Sequence, residues 1–193
     1  GERRIETSDL ASKAHAFAEL SGELFPRPVA EIRERLQRFL ELHGMSFAEL
    51  AHRELCDWQE LRELRDRGAE IGCHTVSHAS LLCEPAESLK RELAEARVRI
   101  ESELGRPARH LAYPYGKRDH ASEREFRAAR ELGFATAVTT RKGALFKHHA
   151  QHCEAWPRVE VTPSFERSTH YLQAILSGLP LWAWNRGRLV VTD

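Results

Sequence analysis

The chain has 193 residues, which is enough for one domain with a buried core. Its 29 basic and 29 acidic residues are interspersed and give a formal net charge of zero, which argues against nucleic acid or an anionic membrane surface as the main partner. No apolar run approaches the length of a membrane span and the first residues carry no signal-peptide core, so the cellular location stays open, with the cytoplasm slightly favoured.

Residues 1–56 carry no strand pattern and are predicted to form a helical segment of the kind found in insertions. Three helices are predicted in this segment: Asp9–Leu20, a second from Pro28 up to Gly44, and a third that begins at the capping pair Ser46 and Glu49. A fourth helix, just after the segment, is predicted from the capping pair Asp57 and Glu60 up to Gly68. None of these helices carries an obvious chemical motif. The first third of the chain is therefore predicted to be helical, with residues 57–193 forming the domain that carries the chemistry.

From Ala69 onwards, strand-like runs alternate with amphipathic helices. The predicted strands are Glu70–Thr75, Arg109–Tyr113, Ala135–Thr140, Arg158–Val161 and Arg188–Val191, and the predicted helices are Pro85–Leu104, Ser122–Leu132 and Ser168–Leu176. Alternation of this kind predicts crossover units and a parallel sheet, that is, an α/β fold. In such folds the chemistry lies beyond the carboxyl ends of the strands.

Two histidines, His74 and His78, stand at the end of the first predicted strand, four residues apart. Neutral imidazole is the commonest protein ligand for zinc and similar ions. The spacing alone supports a metal site and a pair of surface histidines equally. The segments Tyr113–Gly116, Thr139–Thr140 and Trp156–Arg158 end other predicted strands, and their convergence on one rim favours the metal site.

Five stretches together resemble the polysaccharide deacetylases of the carbohydrate esterase class. They are Trp58–Leu61, Glu70–His78, His110–Gly116, Gly133–Thr140 and Trp156–Val161. The resemblance implies a distorted (β/α) barrel that removes N- or O-acetyl groups from a carbohydrate with the help of a divalent metal, zinc being the favoured ion. It also implies an acetylated carbohydrate as the substrate, and His74 and His78 as two of three protein ligands, with an aspartate as the third.

The resemblance further implies roles for residues near other strand ends. The backbone N–H of Tyr115 matches a donor to the oxyanion of the reaction, and Arg158 matches an arginine that orients the catalytic carboxylate. Rim packing in a Pro-Gly turn is the alternative for Tyr115, and a surface salt bridge is the alternative for Arg158. His148, His149 and His152 are the local substitutes for a general acid, with His152 favoured, unless they form a polar loop.

The chain departs from the family pattern in one respect. The family's first signature, a strand ending in an aspartate pair, has no match among Asp9, Asp57, Asp66, Asp119 and Asp193. The sequence is therefore interpreted as a C-terminal portion of the barrel, with an open edge that the missing N-terminal half or a second copy would cover.

Three hypotheses follow from this pattern. The chain is part of a deacetylase that is active only with its missing portion, or a non-catalytic domain that binds sugar or another partner. The third is a structural zinc site formed by Cys73, His74, His78 and Cys83.

Overall fold

The computed structural model describes residues 4–24, 26–160 and 169–192. The chain divides into two compact units, Gly1–Glu54 and Leu55–Asp193. Within the described residues, no helix combines the length and the apolar character needed to cross a membrane. The two units are described separately.

The first unit is helical, as the sequence predicts. Its helices are α1 (Leu10–Leu24), α2 (Val29–Leu42) and α3 (Phe47–Glu54). Helix α1 begins one residue later than predicted and continues four residues further. The predicted capping pair at the start of α3 is confirmed, because the Glu49 backbone N–H donates to Ser46 Oγ at 3.2 Å and the Ser46 N–H donates to the Glu49 carboxylate at 3.1 Å.

The second unit alternates helices with short strands. Its helices are α4 (Trp58–Asp66), α5 (Ala86–Leu104), α6 (Glu123–Glu131), α7 (Thr169–Leu176) and α8 (Leu179–Trp184), and its strands are β1 (His110–Ala112), β2 (Thr136–Lys142) and β3 (Trp156–Arg158). Asp57 and Glu60 form the predicted capping box of α4. Gly105 ends α5 in the left-handed conformation, with a φ of 63°.

The three strands form a parallel sheet in the order β1-β2-β3. The predicted strand Glu70–Thr75 is wrong in extent, because it contributes only one isolated parallel bridge, from Cys73 to Leu111. In that bridge the Cys73 N–H donates to the His110 carbonyl at 2.7 Å, and the Ala112 N–H donates to the Cys73 carbonyl at 2.9 Å. The pairing ends there because Thr75 turns the chain with a φ of 64°.

The end of the chain differs from prediction in three respects. Residues 188–191 do not form the predicted strand, and follow a left-handed turn at Arg186 and Gly187 instead. Strand β3 begins two residues earlier than predicted, since Trp156 pairs with Val138. The predicted end of that strand at Val161, and the start of the next helix at Ser168, lie outside the described residues. Helix α8 is present where the sequence analysis predicted none.

The core of the second unit lies where α5 and α6 cover the sheet. Its largest fully buried side chains include Leu89, Leu93 and Tyr113, and Leu111 and Phe126 pack in the same cluster. The predicted α/β class is thus confirmed as a mixed fold with a parallel sheet. The described strands make an open sheet of three rather than a closed barrel.

Candidate metal centre

The two predicted ligands lie side by side at the end of the Cys73 bridge. The ring centroids of His74 and His78 are 4.8 Å apart, and the rings are nearly perpendicular, at 72°. His74 Nδ1 lies 2.7 Å from the carbonyl oxygen of Ala112. A carbonyl only accepts, so Nδ1 carries the proton and Nε2 presents its lone pair. This is the arrangement by which a backbone group usually orients a metal-ligating histidine.

The loop that carries the histidines is held in an unusual backbone conformation. Thr75 and His78 have φ values of 64° and 56°, which are rare for residues with a Cβ. The His78 N–H donates to Thr75 Oγ1 at 3.0 Å and closes the turn between them. Strain of this kind persists only where the surroundings fix it, and it clusters at functional sites.

Glu92 of α5 helps to hold the histidine loop in this conformation. Its carboxylate accepts the backbone N–H groups of Val76 and Ser77, both at 2.9 Å, and the Ser77 hydroxyl at 2.7 Å. Three donors from two adjacent residues converge on one side chain, so the loop is tied to the helix that packs against the sheet. The sequence analysis did not identify Glu92, because only the fold brings it to the loop.

Tyr115 reaches the histidines from the turn after β1. Its hydroxyl lies 3.3 Å from His78 Nδ1, and the two ring centroids are 4.9 Å apart. With a φ of 61°, it shares the left-handed conformation of Thr75 and His78. The Thr140 hydroxyl donates to the Tyr115 carbonyl, and the Thr140 N–H donates to the Gly116 carbonyl at 3.0 Å. The end of β2 therefore fixes the turn that presents Tyr115.

Burial disfavours the charged forms of both His78 and Tyr115. Burial lowers the pKa of His78, and the neighbouring His74 lowers it further. Burial also raises the pKa of Tyr115. A neutral imidazole is the form that binds a metal, and the Tyr115 hydroxyl oxygen can accept the Nδ1–H of the tautomer that leaves His78 Nε2 free.

The other two predicted catalytic residues, Arg158 and His152, have contacts of their own. Arg158 Nε donates to the Thr139 carbonyl at 2.7 Å, and within the described residues it forms no ion pair. His152 lines a different cleft, of about 570 Å³, beside Glu154 and Arg130. Within the described residues, no hydrogen bond or ring contact joins either of them to His74 or His78. The structure thus brings Tyr115 to the histidine pair, whereas the roles of Arg158 and His152 stay predictions.

The donor set fits a divalent metal in part. Two imidazoles can each present Nε2 to one ion, but the described residues contain no group of three or more His, Cys, Asp or Glu side chains placed to hold one. The four-ligand structural zinc site is therefore not formed. Cys73 is buried in the core, which raises the pKa of its thiol to about 11, and the Cys83 thiol lies 3.8 Å from Ser80 Oγ.

Comparisons with known proteins point to one family. The family model described as polysaccharide deacetylase matches residues 29–137, which begin at α2 and end within β2. YxkH of Bacillus subtilis, whose name assigns it to the polysaccharide deacetylases, is 24% identical over 119 residues, which are 62% of this chain and 41% of YxkH.

Two solved structures share the fold. One is the Streptococcus pyogenes deacetylase PplD in complex with acetate, with a TM-score of 0.57, 20% identity, and coverage of 63% of this chain and 51% of that one. The other is BC0361, a polysaccharide deacetylase from Bacillus cereus, with a TM-score of 0.53, 22% identity, and coverage of 63% and 37%. The chain thus spans about half of these relatives or less.

Proposed function

We propose, because the chain belongs to the polysaccharide deacetylase family, that it takes part in the metal-dependent hydrolysis of acetyl groups on a carbohydrate. The pair of imidazoles carries this proposal. His74 and His78 lie 4.8 Å apart, ring to ring, and each has its Nδ1 beside an oxygen partner. This leaves both Nε2 atoms to bind one ion, for which zinc is the favoured candidate.

The bound ion would polarise the acetyl carbonyl and lower the pKa of a water molecule. The chain's own residues would supply orientation. The Ala112 carbonyl fixes the tautomer of His74, and the Glu92 carboxylate holds the loop between the two ligands. The N–H of Tyr115 is proposed to donate to the oxyanion that develops from the acetyl oxygen. Its turn is fixed by hydrogen bonds from Thr140.

Two further groups have to come from outside the described residues. A carboxylate would complete the ligand set, and a second one would act as the general base. We propose that an aspartate pair in a segment beyond the described residues, or in a second copy, supplies them. Arg158 would then orient the base, whereas no step is assigned to His152, because it lines another cleft.

The proposal is tested by acetate release from tetra-N-acetylchitotetraose, using the longest natural form of the protein loaded with zinc. His74→Ala and His78→Ala are each expected to reduce release by at least about a hundredfold. His52→Ala, an exposed histidine of the first unit, is the matched control and should leave the rate unchanged. Equal rates in all four proteins would contradict the proposal.

A second candidate function is carbohydrate binding without hydrolysis. One observation favours it, namely that no carboxylate in the described residues completes the ligand set. In the same experiment, oligosaccharide binding without acetate release in the longest natural form would select this function. Release that depends on both histidines would exclude it.

A further inference from the structure

A strongly basic cleft lies beside the turn that presents Tyr115. It has a volume of about 440 Å³, and among the described residues no acidic side chain lines it. Its six cationic residues are Lys117, Arg118, Arg141, Lys142, Arg186 and Arg188. They come from three separate segments of a chain whose formal net charge is zero. The fold therefore concentrates positive charge at one place, where it raises the local concentration of anions.

Four of these cations are not neutralised by neighbouring carboxylates. Lys117, Arg118, Lys142 and Arg186 are exposed, and none of them forms an ion pair with a described residue. Some basic side chains elsewhere in the unit are paired: Arg130, for example, contacts both Glu123 and Glu154 at 2.6 Å. Cations without an ion pair to a described residue, such as Arg91, also occur outside the cleft, so what distinguishes the cleft is that several of them lie together around one cavity.

An aromatic side chain lies at the rim of the cleft. Trp184 is 73% exposed, and Lys142 Nζ lies 5.7 Å from the centroid of its ring. Leaving an indole ring in water costs free energy that a stacked partner would recover. A flat apolar ring next to cations suits a ligand that combines apolar faces with negative charge, as an acidic sugar ring does.

The cleft adjoins the turn that presents Tyr115 to the candidate metal centre. Lys117 directly follows Gly116, and Thr140, which hydrogen-bonds to both Tyr115 and Gly116, lines the cleft. A polymer whose acetyl group lies at the histidine pair would therefore place neighbouring residues near these cations.

We propose that this cleft binds the anionic groups of an acidic, acetylated glycan next to the site of deacetylation. That the bound glycan is acetylated rests on the proposed function, whereas the binding of anionic sugars does not. A glycan is favoured over single-stranded nucleic acid because Trp184 is the one aromatic residue among the described residues that line the cleft, whereas nucleic acid is usually stacked on several.

The test is binding of a hyaluronan hexasaccharide, which alternates N-acetylglucosamine with glucuronate, compared with neutral hexa-N-acetylchitohexaose and with hexathymidylate. Calorimetry should give at least about tenfold tighter binding of the hyaluronan oligosaccharide than of either comparison ligand. Its affinity should fall as salt is raised from about 50 mM to about 300 mM. Equal binding of the acidic and neutral sugars, or tighter binding of hexathymidylate, would overturn the proposal.

Variants locate the binding in the cleft. Lys142→Gln combined with Arg186→Gln should weaken hyaluronan binding by about tenfold or more, as should Lys117→Gln combined with Arg118→Gln. Arg91→Gln combined with Arg127→Gln removes the same charge from exposed positions on α5 and α6 and should change binding by less than about twofold. If the control pair weakens binding as much as the cleft pairs do, the attraction is not specific to the cleft and the proposal fails.

The failure of this inference is distinguishable from that of the proposed function. Hyaluronan binding requires neither the metal nor a completed ligand set, so it should persist in the metal-free protein, which should not release acetate. Loss of acetate release with intact hyaluronan binding therefore concerns the metal centre alone. Intact acetate release with no preference for acidic sugars overturns only the assignment of the cleft.

Discussion

The two units of the chain differ in what stabilises them. In Gly1–Glu54, only Ala16 and Leu40 are buried among the described residues, and surface ion pairs such as Arg38 with Glu34 connect successive turns of its helices. In Leu55–Asp193, one continuous apolar cluster joins α5, α6 and the sheet. Exposed pairs contribute little stability, whereas buried side chains contribute several kcal/mol each.

The comparison shows where a precise site can be built. The histidine loop is tied by Glu92 to a helix whose other face lies in the core, and the Tyr115 turn is tied to β2. Left-handed residues such as Thr75 and His78 require this support to keep their conformation. We therefore expect changes in the second unit to affect both stability and the site, and changes in the first unit to affect neither strongly.

The largest difference between the two units, in the free energy of unfolding, is expected when one leucine in each is replaced by alanine. Leu93 is fully buried in α5, whereas Leu42 at the end of α2 is 84% exposed. Leu93→Ala should lower the free energy of unfolding by about 2–5 kcal/mol, and Leu42→Ala should change it by less than about 0.5 kcal/mol. Urea unfolding followed by circular dichroism measures both. Similar losses for the two variants would show that the units do not differ in packing as described.

A smaller difference in stability is expected between alanine variants of two glycines that have similar φ angles, Gly44 and Gly116. Gly44, after α2, has a φ of 64° and open space around it, whereas a Cβ on Gly116 would lie 2.6 Å from the backbone N of Thr140. Gly44→Ala should cost about 1 kcal/mol, from backbone strain alone. Gly116→Ala should cost about 2 kcal/mol more and should displace the Tyr115 turn. Equal melting temperatures for the two variants would show that the close approach to Thr140 is unimportant.

Glu92→Gln tests the support of the histidine loop. An amide oxygen replaces a carboxylate that accepts three hydrogen bonds, so zinc affinity should fall by about tenfold to a hundredfold with little change in helix content. Glu95→Gln is the matched control, since Glu95 is exposed on the same helix. An unchanged zinc affinity in Glu92→Gln would mean that the loop keeps its conformation without this contact.

The smallest effect on stability is expected from replacing Glu101, near the end of α5. Its pKa is lowered by the Arg97 guanidinium, 3.0 Å away, and by the Ala108 N–H at 3.1 Å. A carboxylate whose pKa is lower in the folded state stabilises above its unfolded pKa of about 4.3, and this contribution is lost as the pH falls through the folded value.

Glu101→Gln should therefore lower the unfolding free energy at pH 7 by less than about 1 kcal/mol, because solvent screens the pair. The difference from the parent protein should disappear well below pH 4, as measured by urea unfolding at a series of pH values. A difference that persists unchanged in acid would show that the charge of Glu101 is not the cause.

Local signals in the sequence predicted much of the fold. Capping pairs such as Asp57 with Glu60 located helix starts, because their hydrogen bonds join residues only three apart. The apolar residues that follow Arg188 predict a strand over Arg188–Val191, but no neighbouring strand pairs with it among the described residues. Strand pairing depends on long-range contacts that a short apolar run does not encode.

The candidate site was predictable in its residue types but not in its supports. The spacing of His74 and His78 pointed to the pair, and the resemblance of the Tyr-Pro-Tyr-Gly run to the family pattern pointed to Tyr115. The contact of Glu92 with Ser77 spans 15 residues, so local sequence does not reveal it. The left-handed conformations of Thr75, His78 and Tyr115 could not be predicted either, because none of these residues is a glycine. The basic cleft was missed for the same reason, since its three segments are far apart in the sequence.

The most direct test of the account is a calorimetric titration of the metal-free chain with zinc. The chain should bind one ion, and His74→Ala and His78→Ala should each weaken that binding by at least about tenfold, whereas His52→Ala should leave it unchanged. A double variant lacking both imidazoles that binds zinc as tightly as the parent chain would contradict the central claim that His74 and His78 hold the metal.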